Sequence, residues 1–455
     1  MKNLDKNAFL VILVAGLLLS AVIFVGNQVP ISITCQLPDQ CAQVGPFGGI
    51  LFAFSRPVRT NQVENLWQTH PHIEGDWTWI DNQHARWDAV KALPSDQKMT
   101  FQFVSGQAGQ NGEQITNLAQ WQALVRSPQI IVIRKTASGP ELFALKLDGE
   151  ASGIQLTHTN GRIYDYSVSP DGESIVFSVL NDQKGIDLWM VQRDGANQHK
   201  LLDCGKDQCS TPTWSPTTQE LAYTRESAGL DSNGPMRVTR VWILDEQSGQ
   251  TAMLFADPHQ VGEGPMWSPD GQWISMWNSV QRGILVVNRK TGGTFFLESS
   301  NGDAGSWSED SRFLYYSNMV SGQAGFRYVV LRADIRNRSI STIFGGNVEG
   351  GGLSVDHPIC SPVEKWVAVT IQPDIQIPGK ELLTLSPDSK DGLTITSDLS
   401  QTPVFYSWTP DGDHLIYQSN LLGGNGNDAE IWTWDRNTGK TKKITTGDRS
   451  PQWLP

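Results

Sequence analysis

Four side chains in the C-terminal two thirds of the chain are of types suited to acid, base or metal chemistry. They lie in or beside predicted strand connections and are His158, His259, Asp356 and His357. Imidazole and carboxylate groups can hold a divalent metal or move a proton. No carboxylate or glutamine stands in a fixed relation to all three histidines. We therefore predict that these residues belong to a binding surface and that none of them is catalytic.

The cysteines divide into two close pairs and one single residue. Cys35 and Cys41 form one pair, Cys204 and Cys209 form the other, and both pairs lie in loop-like sequence. We predict two disulfides, which indicate an oxidising compartment. A metal site is the alternative, but neither pair has a second cysteine or histidine pair near it. Cys360 replaces a repeated tryptophan, which predicts a buried core thiol rather than a nucleophile.

Several catalytic signatures are absent from the sequence. It contains no G-x-S-x-G nucleophile elbow, no H-E-x-x-H zinc motif and no phosphate-binding P-loop. The glycine-rich run 345–352 lacks the Lys-Ser/Thr of a phosphate loop and opens no helical pattern, so it is predicted to be a connecting loop. The sequence therefore predicts a protein that is not an enzyme and has no cofactor.

The elements that would position these residues come from a repeated decapeptide. Its clearest copies are residues 168–177 (VSPDGESIVF), 267–276 (WSPDGQWISM) and 408–417 (WTPDGDHLIY), and weaker copies start at positions 214, 307, 360 and 453. An apolar strand end, a Pro-Asp-Gly turn and an alternating apolar run predict two antiparallel strands in each copy. Two further short apolar runs follow each copy. A period of 40 to 53 residues with four short strands predicts a β-propeller blade.

The turn with its preceding tryptophan, and the third strand written Asp187-Leu-Trp-Met-Val, resemble the repeats of TolB-type propellers from bacterial extracytoplasmic proteins. The resemblance covers residues 129–455 and implies a fold rather than a function. It also adds an alternative, because some TolB-like propellers are uronate lyases that hold a metal through histidines at the channel mouth. On that alternative the chain is a metal-dependent lyase of acidic polysaccharides that uses His259 and His357.

The ends of the repeat region decide the number of blades. Residues 130–133, 141–147 and 154–157 read as second, third and fourth strands without a first strand, and residues 450–455 read as a first strand alone. Together they would complete one blade and remove the exposed edges of an open ring. The predicted fold class is therefore all-β with a seven-bladed β-propeller, and six blades is the alternative.

The N-terminal residues predict a membrane anchor. Residues 8–26 are uncharged and almost wholly apolar, long enough for a bilayer core of about 30 Å. Lys2 and Lys6 precede this segment and the first basic residue after it is Arg56, which predicts a cytoplasmic N-terminus. We therefore expect one transmembrane helix within residues 1–27, an uncleaved signal anchor in preference to a cleaved peptide, with all later domains extracytoplasmic at the cell membrane.

Short alternating strands between residues 45 and 128 predict a small sandwich, which follows a linker at 28–44 that carries the first cysteine pair. The sequence Phe54-Ser-Arg-Pro-Val58 and the motif Gly75-Asp-Trp-Thr-Trp79 resemble bacterial Ig-like domains of envelope proteins. This resemblance implies an N-terminal Ig-like β-sandwich. Its tryptophans are expected in the core.

Charge and loop lengths complete the functional prediction. The chain has 35 basic and 47 acidic residues, a net charge of -12, and no extended basic cluster, which disfavours nucleic acid as a partner. The long predicted connections fall on one propeller face: residues 204–210, 227–239, 257–264, 345–356 and 419–428. Loops on a rigid scaffold commonly bind ligands. The sequence therefore predicts a non-catalytic, membrane-anchored propeller protein that binds a protein or a cell-surface glycan through this face.

Overall fold

The computed structural model describes residues 13–14, 30–37, 41–47, 49–116, 119–147, 153–228, 238–257, 259–322, 325–345, 353–363, 366–374, 376–388, 391–424 and 428–455. The chain forms two compact units, which divide between Arg126 and Ser127. Both units are built from strands, so the predicted all-β class is confirmed.

The predicted transmembrane helix is not supported. Among the described residues, no helix is both long and apolar enough to cross a bilayer. This finding overturns that part of the predicted fold class. Apart from positions 13 and 14, the predicted segment 8–26 lies outside the described residues.

The described residues of the first unit include ten strands and a short helix. In chain order they are β1 (Ile33–Cys35), β2 (Gln43–Val44), β3 (Ile50–Phe54), α1 (Thr60–Leu66), β4 (Trp67–His70), β5 (Gly75–Trp79), β6 (His84–Ala89), β7 (Lys98–Phe103), β8 (Gly106–Gln107), β9 (Gln114–Ile115) and β10 (Ala119–Val125). One sheet has the order β1-β3-β6-β5 and the other has the order β2-β10-β7-β4. Strands β8 and β9 form a separate pair.

The two sheets of the first unit share one aromatic core. Phe52 of one sheet and Phe103 of the other meet edge to face, with ring centroids 5.3 Å apart. Trp87 is fully buried in the same core. Its indole lies against Gly75, where an added Cβ would come within 2.3 Å of the ring. Trp87 is therefore a core residue, and the other tryptophans of the unit, Trp67, Trp77, Trp79 and Trp121, are partly buried against the same core.

The described residues of the second unit form seven four-stranded blades. Blade 1 comprises β14 (Ile163–Val168), β15 (Ser174–Leu180), β16 (Ile186–Gln192) and β17 (His199–Leu202). Blade 2 comprises β18 (Gln208–Trp214), β19 (Glu220–Glu226), β20 (Thr239–Asp245) and β21 (Thr251–Met253). Blade 3 comprises β22 (Glu263–Trp267), β23 (Trp273–Asn278), β24 (Gly283–Asn288) and β25 (Thr294–Glu298). Blade 4 comprises β26 (Ser306–Trp307), β27 (Phe313–Gly322), β28 (Gly325–Asp334) and β29 (Ser339–Phe344). Blade 5 comprises β30 (Ser354–Cys360), β31 (Val367–Gln372), β32 (Glu381–Leu385) and β33 (Gly392–Thr396). Blade 6 comprises β34 (Gln401–Trp408), β35 (His414–Leu421), β36 (Glu430–Asp435) and β37 (Lys440–Thr446). Blade 7 comprises β11 (Gln129–Thr136), β12 (Gly139–Lys146), β13 (Ile154–Gln155) and β38 (Asp448–Leu454).

Blade 7 closes the ring from both ends of the propeller sequence. Strand β38 pairs antiparallel with β11, with Trp453 opposite Ile130 and Asp448 opposite Arg134. The seven-bladed arrangement with this closure is the one that the repeat count predicts. Apolar clusters fill the spaces between neighbouring blades, and the cluster between blades 6 and 7 joins Ile416 to Ile130 and Trp453.

The repeated turn residues act locally. In the first copy, the Ser169 hydroxyl donates to Asp171 Oδ1 at 2.6 Å, and Ser169 Oγ accepts the Ser174 N–H at 2.9 Å. Gly172 completes the turn with a φ of 71°. Equivalent hydroxyl-to-carboxylate bonds link Ser268 to Asp270, Ser308 to Asp310 and Thr409 to Asp411. These residues therefore shape the turn between the first two strands of a blade, as predicted.

Three of the repeated tryptophans bond their blade to the backbone of the preceding blade. The indole N–H groups of Trp267, Trp408 and Trp453 donate to the carbonyl oxygens of Thr213, Ile359 and Ser407, at 3.2 to 3.3 Å. Each acceptor directly precedes the first residue of the decapeptide copy in the previous blade, which is Trp214, Cys360 or Trp408. We call this first residue of a copy the tryptophan-equivalent residue. The Cys360 thiol donates to the equivalent carbonyl of Ser306 at 3.7 Å. Cys360 therefore takes the structural place of tryptophan.

Both predicted disulfides are present in the structure. Cys35 is joined to Cys41 in the first unit, and Cys204 is joined to Cys209 in the connection between blades 1 and 2. Cys360 is a free cysteine. Cys360 is partly buried against the apolar cluster between blades 4 and 5. Burial raises the pKa of its thiol to about 12, which disfavours a role as nucleophile.

Candidate functional site: the mouth of the propeller channel

The inner strands of the blades line the axial channel, and most of them contain a bulge. Among the described inner strands, the pairing register shifts in β14, β18, β22, β30, β34 and β38. The bulge includes the residue three positions before the tryptophan-equivalent residue. These residues, here called the bulge residues, are Asp165, Thr211, Gly264, His357, Phe405 and Ser450. Bulges redirect side chains and are frequent beside functional sites.

The backbone at the bulges takes a conformation that is uncommon for residues with side chains. His357, Phe405 and Ser450 have φ angles of 52°, 46° and 52°. Such left-handed angles are expected of glycine, as at Gly264 with a φ of 60°. The fold therefore holds these residues in place against their intrinsic preference.

Side chains of the preceding blade supply part of that support. The His357 N–H donates to Ser317 Oγ at 3.0 Å, and the Ser450 N–H donates to Gln418 Oε1 at 2.8 Å. Both acceptors are buried on the second strand of the blade before. Because a buried polar group is costly to leave unpaired, these bonds fix each bulge to its neighbour.

Two buried tyrosines hold the same bulges from the carbonyl side. The Tyr166 hydroxyl lies 2.5 Å from the carbonyl oxygen of Ser450, and the Tyr406 hydroxyl donates to the carbonyl oxygen of His357. Burial raises the pKa of both phenols well above the usual value. Both tyrosines therefore remain neutral donors, and the bulge backbone is bonded on both sides.

Four large side chains project from consecutive inner strands at these bulges. They are His357 of β30, Phe405 of β34, Arg449 of β38 and Tyr164 of β14, and all four are exposed. Phe405 and Tyr164 are 64 % and 66 % exposed, and the His357 side chain is 54 % exposed. We call these four residues the channel-mouth arc.

The arc lies at the end of the channel that carries the longer connections. Its residues precede the repeated turn by several positions, so they lie towards the start of each inner strand, where the chain enters from the previous blade. In a propeller, these entering connections and the loops between second and third strands share one face. The described ends of the connections 227–239, 345–356 and 419–428 lie at this face, and residues 229–237, 346–352 and 425–427 are outside the described residues.

Asp356, beside His357, is a positioning group rather than an open ligand. It is 4 % exposed and forms an ion pair with Lys380 Nζ at 2.5 Å. The Thr370 hydroxyl also donates to this carboxylate, and His357 Nδ1 lies 3.3 Å from it. Burial acts to raise the pKa of Asp356, but His357 and Lys380 outweigh it and hold the pKa below its usual value.

Two other carboxyls on inner strands have raised pKa values. Burial raises the pKa of Asp165, against the opposing effects of Ser178 and the Thr211 N–H. Burial, together with the charge of Glu226, raises the pKa of Glu263. Both carboxyls therefore resist ionisation more than exposed carboxyls do.

The structure does not bring the predicted histidines together. His158 is exposed in the connection that leads into blade 1, His259 is exposed between blades 2 and 3, and His357 belongs to blade 5. His158 Nδ1 lies 3.1 Å from Gln155 Nε2, and its N–H donates to Gln198. Within the described parts of the chain, no cluster of three or more His, Cys, Asp or Glu side chains could hold a metal.

Sequence reasoning missed three members of the arc. Tyr164, Phe405 and Arg449 differ in type, so no recurring letter marks them. The available signal was their position three or four residues before the tryptophan-equivalent residues 168, 408 and 453. Aligning the copies on that residue would have placed all three in the inner strands, at or beside the bulges.

Comparisons with known proteins extend the fold assignment. No family model matches the chain. The chain is 26 % identical over 150 residues to the uncharacterized peptidase YuxL of Bacillus subtilis, and 27 % identical over 135 residues to the uncharacterized protein Atu1656 of Agrobacterium fabrum. These matches cover 27 % and 29 % of this chain, and the chain spans only 22 % and 44 % of the two relatives.

Similar solved structures include a puromycin-hydrolyzing peptidase of Mycobacterium tuberculosis, which has a TM-score of 0.51 and 14 % identity. That match covers 78 % of this chain and 52 % of the peptidase, and it shows a shared fold alone. TolB from Acinetobacter baumannii is 16 % identical, with 72 % of this chain and 82 % of TolB covered and a TM-score of 0.41. The propeller domain of the Trilobed protease from Pyrococcus furiosus is 12 % identical, with 78 % and 96 % covered and a TM-score of 0.47. The strand pairing of the chain itself makes it a β-propeller, and the structures similar to it include TolB and peptidase propeller domains.

Proposed function

We propose that the chain is a non-catalytic binding protein whose propeller holds a segment of a partner protein at the channel mouth. The observation that carries the proposal is the exposure of Phe405 and Tyr164, at 64 % and 66 %, on inner strands next to the doubly bonded bulges of His357 and Ser450. Aromatic side chains are enriched at binding hot spots.

The composition of the arc favours a peptide segment. Phe405 and Tyr164 provide rigid apolar area, while Arg449 and His357 provide hydrogen-bond donors between and beside them. A channel rim also surrounds a bound segment and excludes water from its contacts, which strengthens the polar ones. The fixed bulges reduce the entropy that binding would otherwise cost.

We also propose an extracytoplasmic location and an Ig-like assignment for the first unit. The two disulfides support an oxidising compartment. Without the two-residue strands β2, β8 and β9, the first, second, fifth and fourth remaining strands form the sheet β1-β3-β6-β5, and the other three form β10-β7-β4. This arrangement is the constant-type immunoglobulin pattern.

Site-specific photo-crosslinking tests the proposed partner site. A photoreactive phenylalanine analogue is placed at Phe405, at Tyr164 or at Ile340, an exposed residue of the outer strand β29 that serves as the control. In the native cells, positions 405 and 164 should give one adduct of the same mass, and position 340 should not give it. Equal adducts from all three positions, or none from the arc, would contradict the proposal.

An activity assay tests the non-catalytic part. The purified full-length chain is incubated with oligogalacturonides plus manganese and, separately, with a mixed peptide library. We expect neither unsaturated uronate products nor cleaved peptides. Turnover that survives the substitutions His259→Ala and His357→Ala would point to a contaminant, whereas turnover lost with either substitution would overturn the non-catalytic assignment.

A further inference from the structure

A second candidate site lies in blade 1. A cleft of about 390 Å³ is lined by the connection that contains His158, by the turn between β15 and β16, and by residues of β16 and β17. None of the four arc residues lines it. A volume of this size falls within the usual range of small-molecule sites.

The base of the cleft is held rigidly by a buried carboxylate. Asp187 is 1 % exposed and accepts hydrogen bonds from Asn181 Nδ2 at 2.8 Å and from the Cys204 N–H at 2.9 Å. The Lys200 ammonium lies 2.8 Å from its second oxygen. The disulfide at Cys204 therefore anchors the same loop that Asp187 binds, and the cleft wall does not depend on a ligand for its shape.

Exposed polar groups lie around the rim. Arg162 donates to Asp182 at 2.6 Å, with the two side chains 45 % and 88 % exposed. A surface pair of this kind contributes little stability, so its hydrogen-bonding groups can be shared with a ligand. Gln183 and His158 are also exposed at this rim.

Apolar surface lies beside these polar groups. Trp189, Val179 and Leu180 line the cleft, and the Lys200 ammonium lies 6.0 Å from the centroid of the Trp189 ring. A sugar ring has apolar C–H groups on its faces and hydroxyls around its edge. Amide, carboxylate and guanidinium groups beside an aromatic ring match both features.

The charges of the lining distinguish between classes of sugar. The lining contains two cations, Arg162 and Lys200, and three carboxylates, Asp182, Asp187 and Asp203. The two cations already pair with those carboxylates. An anionic sugar would find no unpaired cation among these five groups and an excess of negative charge, so the lining favours a neutral ligand.

We infer that this cleft binds a short neutral saccharide. The inference does not rest on the proposed partner at the channel mouth, because the two sites share no residue. Aromatic and planar polar groups supply the contacts, and the Asp187 network supplies the rigidity.

Calorimetric titration of the full chain tests this inference. The probes are cellobiose and di-N-acetylchitobiose as neutral disaccharides and digalacturonate as the anionic comparison. We expect at least one neutral disaccharide to bind and digalacturonate to bind more weakly. Failure of both neutral probes, or tighter binding of digalacturonate, would overturn the inference.

Paired variants then locate the binding. The double variant Arg162→Ala, Gln183→Ala removes exposed side chains and should weaken binding of the neutral disaccharide about tenfold, the effect of losing one hydrogen bond to a charged group. The control variant Arg282→Ala, Gln247→Ala removes the same residue types from exposed positions elsewhere in the propeller. Equal affinity in the two double variants would place the saccharide outside the cleft and overturn the inference.

Discussion

Arg134 holds Asp448 through two hydrogen bonds, from Nε to Oδ1 at 2.8 Å and from Nη2 to Oδ2 at 2.7 Å, although 314 positions separate the residues. The Thr445 hydroxyl donates to the same carboxylate at 2.8 Å. The pair fastens the start of β38 to β11 and therefore belongs to the ring closure.

Removing Asp448 should destabilise the propeller strongly. The Asp448 side chain is 2 % exposed, so Asp448→Ala leaves the partly buried Arg134 without its partner. Breaking a buried pair in this way costs about 3 to 5 kcal/mol. Asp182→Ala, which breaks the exposed pair with Arg162, is the control and should cost less than about 1 kcal/mol. The measurement is the free energy of unfolding in urea, and equal losses would mean that the closure pair has no special role.

Trp453 tests the same closure by packing. It is 6 % exposed between blades 6 and 7, and Trp453→Ala should cost about 3 to 5 kcal/mol. Trp453→Phe keeps most of the apolar contact but removes the indole N–H that bonds Ser407, and should cost about 1 kcal/mol. Thermal unfolding of both variants and of a chain without residues 449–455 provides the measurement. An unchanged melting temperature in all three would exclude β38 as a stabilising strand.

Cys360 should resist alkylation until the propeller unfolds. Burial raises its thiol pKa to about 12, so almost no thiolate is present at pH 8. Mass mapping after iodoacetamide treatment should find Cys360 unmodified in the native chain and modified in urea without reductant. The four disulfide-bonded cysteines are the internal control, because they should react only after reduction. Rapid native labelling of Cys360 would contradict its core position.

Asp165 should make stability depend on pH. The pKa of Asp165 is higher in the folded chain than the unfolded value of about 3.9, so the protonated carboxyl favours the folded state. This contribution to the free energy of unfolding is fully present below the unfolded pKa and is lost as the pH rises through the folded pKa. Asp165→Asn does not titrate and keeps an acceptor for the Thr211 N–H, so it should gain stability relative to the native chain between pH 4 and pH 7. Melting temperatures at both pH values measure this. Asp194→Asn controls for the loss of one negative charge, and a pH-independent difference for Asp165→Asn would reject the buried-carboxyl account.

The repeat made the blades predictable because each turn carries its own local chemistry. Ser169, Asp171 and Gly172 bond to one another within a few residues, so the strand pair is readable from the decapeptide. The same logic located Trp453, because it is another copy of a residue that packs between blades. Cys360 was readable as a substitute for the same residue.

Other features depend on contacts that no local pattern contains. Arg134 and Asp448 meet only because the ring closes, and Asp356 is paired with Lys380, which directly precedes β32. The exposure of Phe405 and Tyr164 follows from the bulge geometry, whereas apolar residues in an inner strand would ordinarily be assigned to the core. The histidines were attractive by type alone, and their distribution over separate blades became visible only in the fold.

The binding role of the channel-mouth arc is tested most directly by partner affinity. Once the adduct from positions 405 and 164 identifies the partner, the dissociation constant of the complex is measured for the native chain and for the double variant Phe405→Ser, Tyr164→Ser. Loss of the two aromatic contacts that the partner would cover should weaken binding at least about tenfold. The matched control is Ile340→Ser, Leu393→Ser, which removes exposed apolar side chains from the outer strands β29 and β33 and should leave the affinity unchanged. Equal affinity for the native chain and the arc variant would contradict the proposed function.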